Sequence, residues 1–194
     1  MHRRMVMVGL VLAGCAPDAA PTDVSSDAPA YTAPPVADSV AVAAPGQLTV
    51  SGRAGPDERV RVIQMDGTAH GGTADANGTF SIAMPAGSGT DLLFNLSVER
   101  AGQSVSSDGW LFSPANVPSR SVMLRIGGAS LPVGPAPLLA VVDMDAGGGV
   151  ALAGRSTPGA RVRVSLDGQD RGTAQADDSG LWFTVLSSTV SAGP

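Results

Sequence analysis

Lysine is absent from this chain, and cysteine and histidine are scarce. The sequence holds one cysteine, Cys15, and two histidines, and its 12 arginines face 17 acidic residues, for a net charge of -5. Nucleic-acid binding requires a basic surface that neutralises phosphates, so this balance excludes a nucleic-acid partner. A single cysteine excludes an internal disulfide. With so few soft ligands, we predict no zinc, copper or iron site, no cofactor and no histidine-based catalytic dyad.

Long hydrophobic runs are also missing. The longest apolar stretch, residues 5–13, is far below the ~20 residues that span a bilayer. Two arginines, Arg3 and Arg4, precede it, and the run Leu12-Ala13-Gly14-Cys15 follows. A positive start, a short apolar segment and small residues are typical of a cleaved export signal.

The residues before Cys15 resemble the lipobox of bacterial lipoproteins. The resemblance implies cleavage between Gly14 and Cys15, a diacylglycerol on the Cys15 thiol, and an acyl chain such as palmitate on the new amino terminus. Several acyl chains anchor a protein firmly to a membrane. In lipoproteins of the enteric type, which this start resembles, a residue other than aspartate after the cysteine, here Ala16, implies export to the outer membrane of the cell envelope. The alternative is a cysteine that follows an ordinary secretory signal by chance.

Residues 15–46 have the composition of a tether. Residues 16–45 contain six prolines and four aspartates, with one aromatic residue, Tyr31. Such a segment buries too little apolar surface to offset the entropy cost of ordering it. We predict a disordered spacer that holds the folded part away from the membrane.

The remaining sequence contains an internal repeat. The segment SGRAGPDERVRV, which begins at Ser51, matches AGRSTPGARVRV, which begins at Ala153, at an offset of 102 residues. Asp66-Gly67 then matches Asp167-Gly168, and Phe80 matches Trp182. A match of this length and order indicates duplication.

Each repeat has the pattern of short strands separated by turns. Val60 and Val62 alternate with arginines, which predicts a strand with one buried and one wet face. Asp66-Gly67, Asp167-Gly168 and Asn77-Gly78 are predicted hairpin turns. No stretch of ten residues keeps a helical apolar period. The sequence therefore predicts an all-β protein with one β-sandwich at residues 47–133 and a second at 137–194.

The shared pattern G-R-x-x-P-x-x-x-V-x-V, followed by D-G and G-T-A, resembles the bacterial immunoglobulin-like (Ig-like) domains of surface and periplasmic proteins. The resemblance implies tandem Ig-like sandwiches. Its motifs mark turns and core positions, so it implies an architecture and no particular ligand.

The second repeat lacks a counterpart of the strand that begins at Leu92. At the same offset that strand would begin at residue 194. Two interpretations remain open: the sequence is a piece of a longer protein, or the second sandwich has an open edge that a partner strand covers.

Five residues are candidates for contact with a ligand. Arg59 and Arg61, and their matches Arg161 and Arg163, place a guanidinium pair on the outer face of one strand in each repeat, where they suit carboxylates or anionic sugars. The alternative is pairing with neighbouring acids on a solvated face. Trp110 follows a predicted turn and suits either a sugar ring or the core, whereas Trp182 suits the core.

Two further groups of residues have simpler explanations. Aspartates near turns offer oxygen ligands to calcium, but aspartate is common in turns for backbone reasons. The residues concerned are Asp66, Asp75, Asp143, Asp145, Asp177 and Asp178. His70 lies in a glycine-rich segment and is expected on an exposed loop.

The sequence thus predicts a non-enzymatic, lipid-anchored envelope protein with structural, adhesive or binding roles. Its expected partners are the membrane, through Cys15, and a protein or polysaccharide of the envelope. The alternatives are a spacer module of a longer protein, for example a peptidoglycan-binding one, and a calcium-dependent enzyme.

Overall fold

The computed structural model describes residues 33–186, and every described element is a β-strand apart from one 3-10 turn at Pro118–Arg120. The predicted all-β fold is confirmed. The predictions for the signal peptide and Cys15 lie outside the described residues. Among the described residues, no helix is long and apolar enough to cross a membrane.

Residues 36–133 form the first sandwich, called sandwich 1. Its strands, in chain order, are β1 Val36–Ala44, β2 Gln47–Arg53, β3 Arg59–Gln64, β4 Ala69–Thr73, β5 Thr79–Pro85, β6 Leu92–Arg100, β7 Gln103–Ser106, β8 Trp110–Ser113, β9 Val122–Leu124 and β10 Leu131–Pro132. One sheet has the order β1-β2-β5. The other has the order β10-β9-β8-β6-β3-β4, with β7 also paired to β6.

The core of sandwich 1 lies between these two sheets. Strand β5 shows why: its residues alternate between exposed and buried, so that Phe80, Ile82 and Met84 point inward. Strand β6 adds Phe94, Leu96 and Val98, each at most 1% exposed. The alternation of inward and outward side chains along these strands fills the core.

The predicted tether ends earlier than expected. Residues 36–44, assigned to the tether, form β1 and pair antiparallel with β2. Pro45-Gly46 makes the turn between them, with Gly46 at a φ of 76°. Val40 is 3% exposed, so β1 contributes to the core. Sandwich 1 therefore begins at Val36 and not at residue 47.

Strand β1 passes so close to the glycine of the shared Gly-Arg pair that only glycine fits there. A Cβ on Gly52 would lie 2.0 Å from the backbone oxygen of Val36. A Cβ on the matching Gly154 would lie 1.8 Å from the backbone oxygen of Leu138. In both repeats the preceding segment crosses too close for any side chain.

Residues 141–186 form the second sandwich, called sandwich 2. Its strands are β11 Val141–Met144, β12 Val150–Arg155, β13 Arg161–Leu166, β14 Gln169–Gln175 and β15 Leu181–Val185. One sheet has the order β11-β12-β15, and the other pairs β13 with β14. These strands repeat the pairings of β1 to β5, and Trp182, at 2% exposure, takes the place of Phe80.

Two of the three predicted hairpin turns join paired strands. Asp66-Gly67 connects β3 to β4, and Asp167-Gly168 connects β13 to β14. Asn77-Gly78 does not form a hairpin, because β4 belongs to one sheet and β5 to the other. Its turn carries the chain across the sandwich, and the Asp75 carboxylate holds it by accepting the backbone N–H groups of Asn77 and Thr79.

Candidate functional site

The arginine pair of sandwich 1 lies on the outer face of β3. Arg59 and Arg61 are exposed, and the valines that alternate with them, Val60 and Val62, are fully buried. Alternate residues of a strand are about 7 Å apart, so the two guanidinium groups leave the sheet side by side. The predicted exposure of this pair is confirmed.

Small neighbours leave room around Arg61. On one side it lies opposite Gly71 of β4, and on the other side opposite Ser97 of β6. A Cβ on Gly71 would meet only one atom within 4 Å, the Val60 backbone oxygen at 3.8 Å. The result is a hollow of about 350 Å³, called the arginine hollow, lined by Arg59, Arg61, Ala69, His70, Gly71 and Glu99.

Neither arginine of the hollow forms an ion pair within the described part of the chain. The ion pairs there join Arg53 to Asp38, Arg100 to Glu58, Arg125 to Asp108 and Arg163 to Asp170. The alternative that Arg59 and Arg61 pair with neighbouring acids is therefore wrong for sandwich 1. The hollow is lined by two guanidinium groups and one carboxylate, that of Glu99, so its net charge is positive.

The matching pair of sandwich 2 has a different environment. Arg161 and Arg163 lie on the outer face of β13 and are exposed, as predicted. The Arg163 Nε lies 3.9 Å from an Asp170 oxygen, so one of the two charges is partly neutralised. No described strand flanks β13 on the side that β6 occupies next to β3. The structure therefore forms a hollow of this kind around the first pair and leaves the second on an open strand.

The two tryptophans lie in different surroundings. Trp182 belongs to the core of sandwich 2, as predicted. Trp110 is half-buried in β8, opposite Leu124, and is not among the residues of the arginine hollow. Sequence reasoning missed a third aromatic residue, Phe183, which is 52% exposed, with the Arg125 guanidinium 5.6 Å from its ring centre. This cation–π contact joins the two sandwiches.

Four of the six aspartates considered as calcium ligands accept hydrogen bonds within their own turns, namely Asp66, Asp75, Asp145 and Asp177, whereas Asp143 accepts from Ser130. Asp145 Oδ1 accepts the N–H groups of Gly147 and Gly149 at 2.7 and 2.9 Å. Asp177 does the same for Ser179 and Leu181. Hydrogen bonds from the Ser179 side chain and these N–H groups hold the pKa of Asp177 below its ordinary value. Among the described residues, no three His, Cys, Asp or Glu side chains come together.

His70 is not on a loop. It lies within β4, partly buried, opposite Val62 of β3. Its Nε2 lies 3.3 Å from the Gln64 side-chain nitrogen. The glycines around His70 misled the prediction, because they suggested a turn where their small size in fact makes room for the arginine hollow.

A half-buried ion pair ties β6 to the start of β3. The Arg100 guanidinium donates to both carboxylate oxygens of Glu58, one of them at 2.8 Å, and the Gly55 N–H donates to the same carboxylate. The Arg100 hydrogen bonds hold the pKa of Glu58 below its ordinary value of 4.5. The matching residue of sandwich 2 is Ala160, so this pair belongs to sandwich 1 alone.

A second cavity, of about 480 Å³, lies where the two sandwiches meet. Its arginines are engaged by the protein: Arg53 binds Asp38, Arg125 donates to the Ala129 carbonyl, and Arg155 donates to the carbonyls of Gly134 and Ser179. Arg155 thus clamps the linker to sandwich 2. Sequence reasoning missed this cavity, since its residues come from both repeats.

Gly14 and Cys15, the predicted cleavage and lipidation residues, lie outside the described residues, and both assignments stay predictions.

Comparison with known proteins gives little. No protein-family profile matches the chain, and no curated protein matches its sequence. One solved structure with a detectable likeness is a "Biofilm associated protein - BSP domain", at a TM-score of 0.31 and 17% identity. The match covers 82% of this chain and 25% of that one, so the chain spans about a quarter of its length. A TM-score this low does not indicate a shared fold, and no family is assigned to the chain.

Proposed function

We propose that this chain is a non-enzymatic, lipid-anchored protein of the bacterial cell envelope. In this proposal its Ig-like sandwiches bind a carboxylate-bearing polysaccharide at the arginine hollow. The observation that supports binding is the pair Arg59 and Arg61: two exposed guanidinium groups on one strand, beside an open hollow, with no ion-pair partner among the described residues.

The chemistry of the hollow favours carboxylates. A guanidinium group presents its N–H donors in a planar fork that matches the two oxygens of a carboxylate. Two such side chains, on Cα atoms about 7 Å apart along one strand, suit a polymer that carries carboxylates repeatedly. Glu99 also lines the hollow and repels a carboxylate placed beside it. A bound carboxylate is therefore favoured next to the arginines and away from Glu99.

The test is binding of the full chain to polygalacturonate, with neutral dextran as the comparison polymer. We expect saturable binding to polygalacturonate only, weakened as salt is raised because exposed charges are screened. The double variant Arg59→Gln, Arg61→Gln should bind about tenfold more weakly, since each exposed charge contact is worth up to about 1 kcal/mol.

Arg120→Gln is the matched control. Arg120 is exposed in the 3-10 turn, away from the hollow, and its loss changes the net charge by one unit. Because the double variant removes two charges, loss of half as much binding free energy by Arg120→Gln would mean that net charge alone draws the polymer. Unchanged binding by the double variant would reject the arginine hollow as the site.

Lipid anchoring at Cys15 has a separate test. Expressed with residues 1–14 included in a bacterial host, the chain should sediment with membranes. Mass spectrometry should then find acyl chains on Cys15 and no peptide from residues 1–14. Cys15→Ala should release it from the membrane fraction. A Cys15→Ala protein that still sediments with membranes would contradict the anchor while leaving the binding proposal untouched.

A spacer role is the second candidate. The contacts at the junction favour it: the Arg155 side chain donates to the linker carbonyl of Gly134 at 2.7 Å, and the Ser130 hydroxyl donates to Asp143 at 2.8 Å. Such contacts hold two sandwiches at a set spacing. Small-angle scattering of Arg155→Ala should then show a broader range of maximum dimensions, whereas an unchanged profile would argue against a rigid spacer.

A further inference from the structure

The outer face of the large sheet of sandwich 1 carries a group of apolar side chains. Strands β6 and β8 alternate, so that Phe94 and Leu111 are fully buried in the core while Leu93 and Phe112 point to the opposite face. The outward-pointing apolar residues of this sheet, called the aromatic strip, are Ile63, Leu93, Trp110, Phe112, Val122 and Leu124. None of them belongs to the buried core of sandwich 1 or packs against it.

The aromatic strip continues the arginine hollow along the strands. On β3, Ile63 is the next outward residue after Arg61, and on β6 Asn95 and Ser97 stand in the same relation. The register pairs Arg61 with Ser97 and Ile63 with Asn95. The strip therefore begins about 7 Å from the row of Arg61, which is one step along the outward face of a strand.

Trp110 and Phe112 supply the flat surfaces of the strip. Phe112 lies between Leu93 and Val122 in a row across three strands, and Trp110 lies opposite Leu124 in the next row. Both rings are half-buried, so each leaves part of its surface to solvent.

Asn95 is a polar residue within the row of Trp110. It lies opposite Ile63, and the antiparallel register that pairs Phe94 with Leu111 brings it beside Trp110. Its Oδ1 is buried and has no hydrogen-bond partner among the described residues. A buried acceptor without a donor is costly, so a ligand hydroxyl placed on this row would supply a missing interaction.

The strip suits a sugar ring. One face of a pyranose ring presents C–H groups, which pack on an aromatic ring, while the hydroxyls at its edge form hydrogen bonds. A protein partner is a poorer match. A stable protein interface covers about 800 Å² of each partner, which is more than these six side chains, five of them half-buried, expose.

We propose that the aromatic strip is a second subsite for the acidic polysaccharide, an inference that rests on the proposed function. One uronic acid unit places its carboxylate at Arg59 and Arg61. A ring further along the same polymer stacks on Trp110 and donates a hydroxyl to Asn95 Oδ1. The strip thus makes the site selective for polymers of acidic sugars over other polyanions.

Acrylamide quenching of Trp110 fluorescence measures the stacking. Trp182→Phe leaves Trp110 as the only tryptophan, and Trp110→Phe leaves Trp182, which is buried in sandwich 2. In the full chain with Trp182→Phe, polygalacturonate should lower the quenching about twofold, because a stacked ring shields one face of the indole. Polyacrylate, which has carboxylates and no sugar rings, should bind at the arginines and leave the quenching unchanged. The quenching of Trp182 should not change with either polymer.

Two variants test the contacts through polygalacturonate binding. Asn95→Ala should weaken binding about fivefold, as expected for one hydrogen bond. Because Asn95 Oδ1 has no partner in the folded chain, its removal breaks no hydrogen bond of that oxygen. Trp110→Ala should weaken binding by a similar factor. The matched control is Phe183→Ala, which removes an aromatic residue that is 52% exposed and outside the strip, and it should bind as the wild type does.

The results separate this inference from the proposed function. Unchanged binding by Asn95→Ala and Trp110→Ala, with unchanged quenching of Trp110, would overturn the strip. The arginine hollow would still stand if Arg59→Gln, Arg61→Gln weakened binding. Protection of Trp110 that the double arginine variant retains in full would instead reject the hollow and leave the strip as a sugar site by itself.

Two further results would overturn the strip as a sugar subsite. Equal protection of Trp110 by polyacrylate would show that any polyanion covers it. If Trp110 resisted acrylamide as strongly as Trp182 in the chain without polymer, another part of the chain would be the occupant.

Discussion

The two sandwiches contain the same repeated sequence pattern and differ in how their strands are paired. In sandwich 1, β3 is an inner strand, held between β4 and β6, and both of its valines are inaccessible to solvent. In sandwich 2, the equivalent β13 pairs only with β14 among residues 33–186. Sandwich 1 has fifteen residues in its buried core cluster and sandwich 2 has five. Two strands that both begin Arg-Val-Arg-Val can thus have one or two paired edges, depending on what the rest of the chain supplies.

The difference shows how much one strand contributes. Strand β6 gives sandwich 1 three fully buried side chains, a second ladder for β3, and Arg100, the partner of Glu58. The β3–β6 ladder and the Glu58–Arg100 pair join residues 30 or more positions apart in sequence. Loss of one strand therefore affects hydrophobic burial, hydrogen bonding and electrostatics together.

The largest expected effect is separate unfolding of the two sandwiches. Sandwich 2 should unfold first, with a free energy lower by on the order of 5 kcal/mol, for three large side chains at about 1.5–3 kcal/mol each. Each sandwich holds one tryptophan, so Trp110→Phe leaves Trp182 to report sandwich 2, and Trp182→Phe leaves Trp110 to report sandwich 1. Urea titrations followed by fluorescence should give two midpoints.

A single coincident midpoint in both variants would contradict this comparison, because it would mean that the sandwiches unfold as one unit. Circular dichroism of each variant before titration checks that the phenylalanine is tolerated. Phe80 already occupies the position that matches Trp182, which makes Trp182→Phe a conservative change.

Removal of a β6 side chain should lower the stability of sandwich 1 towards that of sandwich 2. Phe94 is 0% exposed, and Phe94→Ala should lower the free energy of unfolding by about 3–5 kcal/mol through lost burial and the cavity left behind. The control Phe183→Ala, at a site 52% exposed, should cost at most about 1 kcal/mol, the contribution of a surface cation–π contact with Arg125. Equal costs in urea titrations would show that β6 does not organise the core.

The Glu58–Arg100 pair should give sandwich 1 an acid sensitivity of its own. Because the folded chain holds the pKa of Glu58 below 4.5, this contribution is complete above pH 4.5 and is lost as pH falls through the folded pKa. Glu58→Gln should cost about 1–3 kcal/mol at pH 7, as expected for a charge-assisted hydrogen bond.

Measured by Trp110 fluorescence between pH 7 and pH 3, the cost of Glu58→Gln should shrink as pH falls. A cost that stays constant over that range would mean that the Glu58 charge contributes nothing.

The smallest effect concerns the ion pair of sandwich 2. Arg163 and Asp170 have side chains that are 71% and 67% exposed, so solvent screens their attraction. Asp170→Asn should change the free energy of unfolding by at most about 1 kcal/mol. A larger loss, measured through Trp182 fluorescence, would mean that the β13–β14 hairpin depends on this contact.

The all-β fold and two of the three predicted hairpin turns followed from local pattern, but strand β4 around His70 and the start of sandwich 1 did not. Proline and aspartate in residues 16–45 suggested a uniform tether, although Pro45-Gly46 lies between apolar residues of two strands and is a turn signal in its own right. Composition averages over a window, and here it concealed a strand whose Val40 is buried by contact with distant residues.

The candidate site divides in the same way. The exposure of Arg59 and Arg61 followed from their alternation with two valines. The hollow beside them did not, because it depends on the register that puts Gly71 and Ser97 on either side of Arg61. The register between strands is set by tertiary pairing and cannot be predicted from the sequence of one strand.

The sequence by itself determined the repeat, the period-two strands and the outward direction of the four arginines, because side-chain alternation is a local property of an extended chain. Tertiary structure alone decided which arginine pair borders a hollow, which valines are sealed from water and which strand edge stays open. Those outcomes depend on the arrival of a distant strand, β6, which sandwich 1 has and the described part of sandwich 2 does not.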